Sequence, residues 1–370
     1  MARQKIKSYN AIKGICAIAI LFSHMVFLSS ANSSVLKIVY DRFLGQGALC
    51  TTMFVLLSGF FVEYTWKNQA FSQYIKGKLK RIYPLYLIVF LLAIVANSLF
   101  PEMKTELPMW SSQWWLAVAV NIIPLKAFVP FESFFYSFHG PSWYISFLFI
   151  FYIVSFIFLR NLHDENMEKR KVTANSMLYI CIGAYVIQFF ICIFAKQLHL
   201  EVLWLVYVNP WFRIFGEGFA GILLAYHIER ITNKIKRYDL EGLAVILFLG
   251  TFIMKGFMRS YLFSSWIEII PMSLMIVAFY MEKGKVSKIL GMRGFQFLGT
   301  ISFELYMLHS YVNEGFPVFL GLINKTLSAW FESHLLFRAF MVLILSIIVA
   351  FVAHWFLNVS IYSFRKNTKQ

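Results

Sequence analysis

Apolar residues fall in long blocks along this chain, separated by short polar stretches rich in lysine and arginine. The blocks lie at about 11–30, 47–66, 82–100, 142–160, 177–195, 209–228, 241–258, 264–281, 295–316 and 337–360. A helix crosses the hydrocarbon layer with about 20 predominantly apolar residues, range about 17–25. Only helices and closed barrels satisfy their backbone groups in lipid. The pattern therefore predicts an all-α, polytopic transmembrane helix bundle of about ten spans, with residues 1–370 as a single membrane domain. Residues 112–129 are ambiguous. They open with Trp114-Trp115-Leu116-Ala117-Val118 but are interrupted by Asn121, Pro124 and Lys126.

Charge resolves the ambiguity. With residues 112–129 not crossing and the N-terminus inside, the inner face holds most of the 34 Lys and Arg. They are Arg3, Lys5, Lys7 and Lys13, five in 67–81, four each in 160–171, 230–237 and 283–293, and three in 365–369. A further crossing would move three of those clusters outside, against the positive-inside bias. Both termini are therefore expected in the cytosol, with 112–129 interfacial or re-entrant and Trp110, Trp114 and Trp115 at the headgroup level. The chain is 59% hydrophobic and 14% charged, against about 25% charged in soluble domains. Its net charge of +16 is then a topology signal and not a nucleic-acid footprint. Neither metal-ligand spacing nor a disulfide framework is evident among the four Cys.

Ionisable side chains inside such blocks are expensive and mark candidate sites. Lys13 and His24 are eleven residues apart, almost three helical turns, so they share one face with ~16 Å between them. Ser302, Tyr306 and His309 lie at i, i+4 and i+7, again one face. His309 is 14 residues past the start of its block at 295, and His24 is 13 past residue 11. Both spans run outward, so the two imidazoles are predicted at comparable depth. Arg213 and Glu217 are four apart and can pair across one turn, as a structural ion pair or as the wall of an outward cavity. Lys78, Lys80 and Arg81 precede Pro84, which suits an early helical position. That would make the basic run either a phosphate trap at a helix start or an ordinary positive-inside cluster. Ser58-Gly59 permits close approach of a helix or a ligand. Trp143 is a belt residue or a substrate contact, and His354 reads as packing.

Several of these stretches resemble one family, the acyltransferase-3 membrane acyltransferases. Lys13-x10-His24 is similar to its Arg-x10-His signature, with Lys in place of Arg. Phe54-Val55-Leu56-Leu57-Ser58-Gly59-Phe60, Arg81-Ile82-Tyr83-Pro84, Trp143-Tyr144-Ile145-Ser146 and Ser302-x3-Tyr306-Met307-Leu308-His309 resemble further family runs. So does Pro210…Arg213…Glu217-Gly218-Phe219, with Gly218 inserted between the acid and Phe. The Glu-x-Pro with which the family often ends is missing after His354.

The resemblance implies O-acetylation of a surface or cell-envelope polysaccharide from cytosolic acetyl-CoA, in a bacterial plasma membrane. The partners would be acetyl-CoA, a glycan acceptor and the lipid bilayer, with no permanently bound cofactor and no metal. The expected roles follow the chemistry of acyl transfer, which needs a base and oxyanion stabilisation. His24, His309, Tyr306 and Ser302 are expected to be catalytic. Lys13, Lys78, Lys80, Arg81, Ser58 and Gly59 would hold the donor, its phosphates on the inner basic face and its thin arm rising to His24. Arg213, Glu217 and Trp143 would hold the acceptor. The rival is a secondary transporter or flippase using the same His, Arg and Glu as a relay. Many such carriers show paired halves, and no internal repeat is evident.

Overall fold

A computed structural model describes residues 6–99, 107–197, 209–235, 239–258 and 264–367. The described residues are helical, with no strand among them. In chain order the main helices are α1 (Lys7–Ser23), α2 (Ser34–Arg42), α3 (Cys50–Tyr64), α4 (Phe71–Leu99), α5 (Ser112–Ile122), α6 (Trp143–Leu162) and α7 (Met167–Gln197). They continue as α8 (Phe219–Ile235), α9 (Glu241–Met258), α10 (Ser264–Tyr280), α11 (Arg293–Thr300), α12 (Ser302–Ile323), α13 (Lys325–Ser333) and α14 (Leu335–Asn367). Five helical stretches are long and apolar enough to cross a membrane: Ser34–Tyr64, Phe71–Leu99, Gly140–Leu162, Met167–Ile191 and Leu335–Asn358. The chain is a helical membrane protein.

It divides into two compact units. The first is built from Val55–Lys236 and Ser265–Ser273, and the second from Lys5–Phe54, Arg237–Ser264 and Leu274–Gln370. In the second unit, α1, α12 and α14 bury Ala17, Leu21, Leu305, Val342 and Ala350 in a common core. Small residues let the backbones approach closely. A methyl added at Gly14 would overlap Leu298 and Gly299, and one at Gly47 would overlap the Ala19 carbonyl. Polar side chains then lock α1 in place. Asn10 Nδ2 donates to the Gln296 carbonyl (3.0 Å), Gln296 Nε2 donates to the Lys7 carbonyl (2.9 Å), and the Tyr9 hydroxyl donates to the Ile276 carbonyl (2.5 Å). In the first unit, the Tyr74 hydroxyl bridges α4 to Ser155 of α6 (3.0 Å). There α3 packs on α8, where methyls at Gly59 or Gly221 would overlap the Gly218 and Leu56 carbonyls.

The helix boundaries depart from the apolar blocks at three places that bear on the candidate residues. The block 11–30 is not one helix. α1 ends at Ser23 and a tighter 3₁₀ turn covers Val26–Ser30. There the Ser23 hydroxyl and His24 Nδ1 both bond the Ile20 carbonyl (2.7 and 2.9 Å), competing with the helix for its acceptor. The block at 82–100 begins eleven residues early, at Phe71. Pro84 is therefore inside α4, and the basic run lies beyond its first turn. The dipole argument for a phosphate trap, which holds only for the first turn, does not apply there. The block 295–316 breaks at Ile301, between α11 and α12. In the ambiguous stretch 112–129, α5 has eleven residues, so it is ~16 Å long and too short to cross.

Candidate functional site

The second unit brings the two predicted imidazoles together. His24 caps the C-terminus of α1 with φ −87° and ψ −5°, continuing the helical sense by one residue. Lys13 on the same helix thus stays nearly three turns away, ~16 Å along the axis. His309 stands on α12, and its ring centroid is 4.8 Å from that of His24 at an interplanar angle of 63°. The His24 ring is exposed, whereas His309 is 1% exposed. Each Nδ1 faces a carbonyl of its own helix: Ile20 for His24 (2.9 Å), and Tyr306 for His309 (2.8 Å). A carbonyl only accepts, so each neutral ring carries its proton on Nδ1 and its lone pair on Nε2. The Nε2 of His309 is buried without a partner among the described residues.

Around this pair the remaining residues of the second unit fall into place at different depths. Tyr306 is buried with its ring 6.1 Å from His309 and 6.1 Å from Phe54. Ser302 lies seven residues before His309, ~10 Å down the axis. Its hydroxyl donates to the Gly299 carbonyl (2.9 Å), so its proton serves the start of α12. Lys13 is half-buried beside the Gly14–Gly299 crossing. Asn313, one turn beyond His309, donates Nδ2–H to the His24 carbonyl (2.9 Å). Sequence reading missed Asn313, although it continues the Ser302, Tyr306, His309 face by four residues. His354, expected as packing, instead hydrogen-bonds Glu304 through Nδ1 (2.8 Å). Glu304 lies about 140° around α12 from His309, on a different face.

The first unit carries the ionic chemistry. Arg213 Nη1 donates to Glu217 (2.7 Å), Nε donates to Asn209 Oδ1 (3.1 Å), and the guanidinium carbon lies 5.4 Å from the centre of the Trp143 ring. Glu217 is 0% exposed. Arg213–Gly218 is a π-helical turn between two α-helical segments. Such a turn accommodates one extra residue, and Gly218 is the residue that interrupts the family-like spacing. Gly59, left open between packing and ligand contact, is packed against Gly218 and Gly221 backbone, and Ser58 shares a hydrogen bond with the Tyr144 hydroxyl (3.0 Å). Lys78 is half-buried, its ammonium 5.3 and 5.6 Å from the rings of Tyr74 and Tyr152. Lys80 and Arg81 are exposed.

A second feature that sequence reading noted only as an interruption is Lys126. It is 0% exposed, and Nζ donates to the carbonyls of Ser137 (3.0 Å) and His139 (2.6 Å). These flank Phe138, whose φ of 60° is left-handed. Phe135, just before that turn, stacks on Trp143 at 6.0 Å. The buried amine thus fixes the loop on which the Arg213 platform rests. Burial pushes the Lys126 ammonium pKa down to about 7.

The acyltransferase-3 family model, described as an acyltransferase domain, matches residues 6–355. No curated protein and no solved structure matches the chain.

Proposed function

The chain belongs to the acyltransferase-3 family, and from that premise we propose that it is a membrane O-acetyltransferase. It would move acetyl from cytosolic acetyl-CoA to a hydroxyl of a cell-envelope polysaccharide, in a bacterial plasma membrane with both chain termini in the cytosol. The observation that carries this reading is the imidazole pair. Two rings lie in contact with each Nδ1–H committed to backbone and each Nε2 lone pair directed elsewhere, which is how a base is oriented.

His24 is the base, because its ring is the exposed member. Its Nε2 takes the proton of the acceptor hydroxyl as that oxygen attacks the thioester carbon. Collapse of the tetrahedral intermediate breaks the C–S bond, and the leaving thiolate takes the same proton from the imidazolium. Acetyl ester and coenzyme A thiol result, with no net proton change. His309, buried against His24, holds that ring. Tyr306 supplies the phenol assigned to the oxyanion. Positive charge suited to the donor's phosphates is carried by Lys78, Lys80 and Arg81 in the first unit and, separately, by Lys13 in the second. Arg213, paired to Glu217 and resting on Trp143, has guanidinium N–H groups suited to a polar acceptor.

The test is thiol release from acetyl-CoA by the purified protein, with and without glycan. Wild type should release thiol and His24→Ala should not. A transporter would release none even as wild type, and that result would sink the enzymatic reading. Mass spectrometry of envelope glycans with and without the protein then identifies the acetylated sugar.

A further inference from the structure

The surroundings of the imidazole pair are lopsided in hydrogen-bonding character. His309 Nε2 is a lone pair, because its Nδ1 proton is spent on the Tyr306 carbonyl. The amide of Asn313 is oriented just as firmly. The group facing it is the His24 carbonyl, which can only accept, so Nδ2 must point there at 2.9 Å and Oδ1 must point away. Asn313 is 8% exposed, and Oδ1 is buried without a partner among the described residues, as is His309 Nε2. His309 and Asn313 are successive members of one helix face, four residues apart, so their Cβ atoms are ~5–6 Å apart.

Two buried acceptors one turn apart, without a donor among the described residues, each carry a desolvation penalty while unsatisfied. With the attacking hydroxyl donating to His24 Nε2, a second donor on the ligand is needed to answer Asn313 Oδ1. The hydroxyl of a simple alcohol brings one. A polyol with hydroxyls on adjacent or next-but-one carbons brings two, at a spacing that suits neighbouring positions on a helix face.

We infer that Asn313 is a specificity-determining residue whose Oδ1 accepts the O–H of a second hydroxyl on the acceptor, beside the hydroxyl that is acylated. The inference rests on the acyl-transfer reading above. It adds that the enzyme selects diols over mono-alcohols, through an oxygen on the outward side of the imidazoles.

The test uses the full chain in detergent with acetyl-CoA as donor and three small acceptors: cyclohexanol, trans-1,2-cyclohexanediol and cis-1,3-cyclohexanediol. Product ester is measured by mass spectrometry and thiol release is followed in parallel. Wild type should favour a diol over cyclohexanol by about tenfold or more in kcat/KM, because a site built to bond a hydroxyl rejects the analogue lacking it. Asn313→Leu, which removes the acceptor oxygen, should bring that ratio to near one. Asn313→Asp keeps an acceptor oxygen while losing the donor to His24, and should retain the preference even if its overall rate falls. A Leu variant that still prefers diols overturns the inference and leaves the acyl-transfer reading standing. Equal loss of the preference in the Leu and Asp variants also overturns it, since Asn313 would then matter only as the prop of the His24 carbonyl. Absence of thiol release from wild type removes the reading itself, and the inference with it.

Discussion

The ion pair of the first unit and the imidazole pair of the second are both polar clusters inside apolar helices, yet they are finished to different degrees. Arg213 spends Nη1 on Glu217, Nε on Asn209 and its cationic face on Trp143. The imidazole pair leaves His309 Nε2 and Asn313 Oδ1 buried and unanswered among the described residues. Buried polar groups are normally satisfied, and an orphan needs an explanation. A cluster that answers its own charges holds structure. One that leaves lone pairs open suits the acceptor-binding role proposed above. The contrast predicts that damage to the two clusters is read on different instruments.

The largest effect should come from His24. General-base catalysis contributes about 10²–10⁴-fold, so His24→Ala should cut acetyl transfer by at least that lower factor while its thermal unfolding midpoint stays near wild type. A variant that loses both together would erase the contrast. Next is Glu217→Gln, which leaves Arg213 without its charged partner. Breaking a buried ion pair costs roughly 3–5 kcal/mol, so the unfolding midpoint should fall sharply and more than for any substitution at His24. Smaller is Gly299→Ala. Its methyl would overlap the Asn10 carbonyl at the α1 crossing, and overpacking costs typically ~1–3 kcal/mol. Thiol release and unfolding should here fall in step, because α1 carries His24.

The smallest effect is a pH slope. Lys126 has a folded pKa of about 7, below the value near 10.5 of an exposed lysine. Between those two values the unfolded chain holds the proton and the folded chain does not, so stability rises with pH. The burial penalty is complete below about pH 7 and relieved on the way to pH 10.5, by about 1.4 kcal/mol per pH unit. Wild type should therefore gain stability relative to Lys126→Met between pH 7 and 9. A difference that is flat across that window would show that the amine stays protonated in the folded chain, as an exposed lysine does.

Much of this was legible in the residues because membrane helices write their chemistry in sparse polar letters. The block at 241–258 coincides with α9, and the two imidazoles expected at comparable depth have ring centroids 4.8 Å apart. Arg213 and Glu217 pair as their spacing foretold. What escaped were features that depend on where a helix stops. Hydropathy could not show that His24 and Ser23 terminate α1, because both bonds go to one carbonyl in the preceding turn. Nor could it place the start of α4 at Phe71, since the polar Lys76–Arg81 run has good helix formers but little apolar content. Asn313 was overlooked because an amide in an apolar stretch carries no charge to draw notice, and Lys126 because a lysine reads as surface until its two carbonyls are seen.

The π-helical turn at Arg213–Gly218 has one further bearing. One residue advances a helix by about 100°, so an insertion in an ordinary helix would swing everything downstream onto a new heading. The widened turn absorbs that rotation locally, letting Arg213 keep its bearing on Trp143 while Gly221 still meets Leu56. Excising Gly218 would then trade a widened turn of backbone for a regular one and leave the two flanking helical segments facing as they do now. The extra glycine is best viewed as slack in a coupling between rigid rods, taken up where a guanidinium must be aimed.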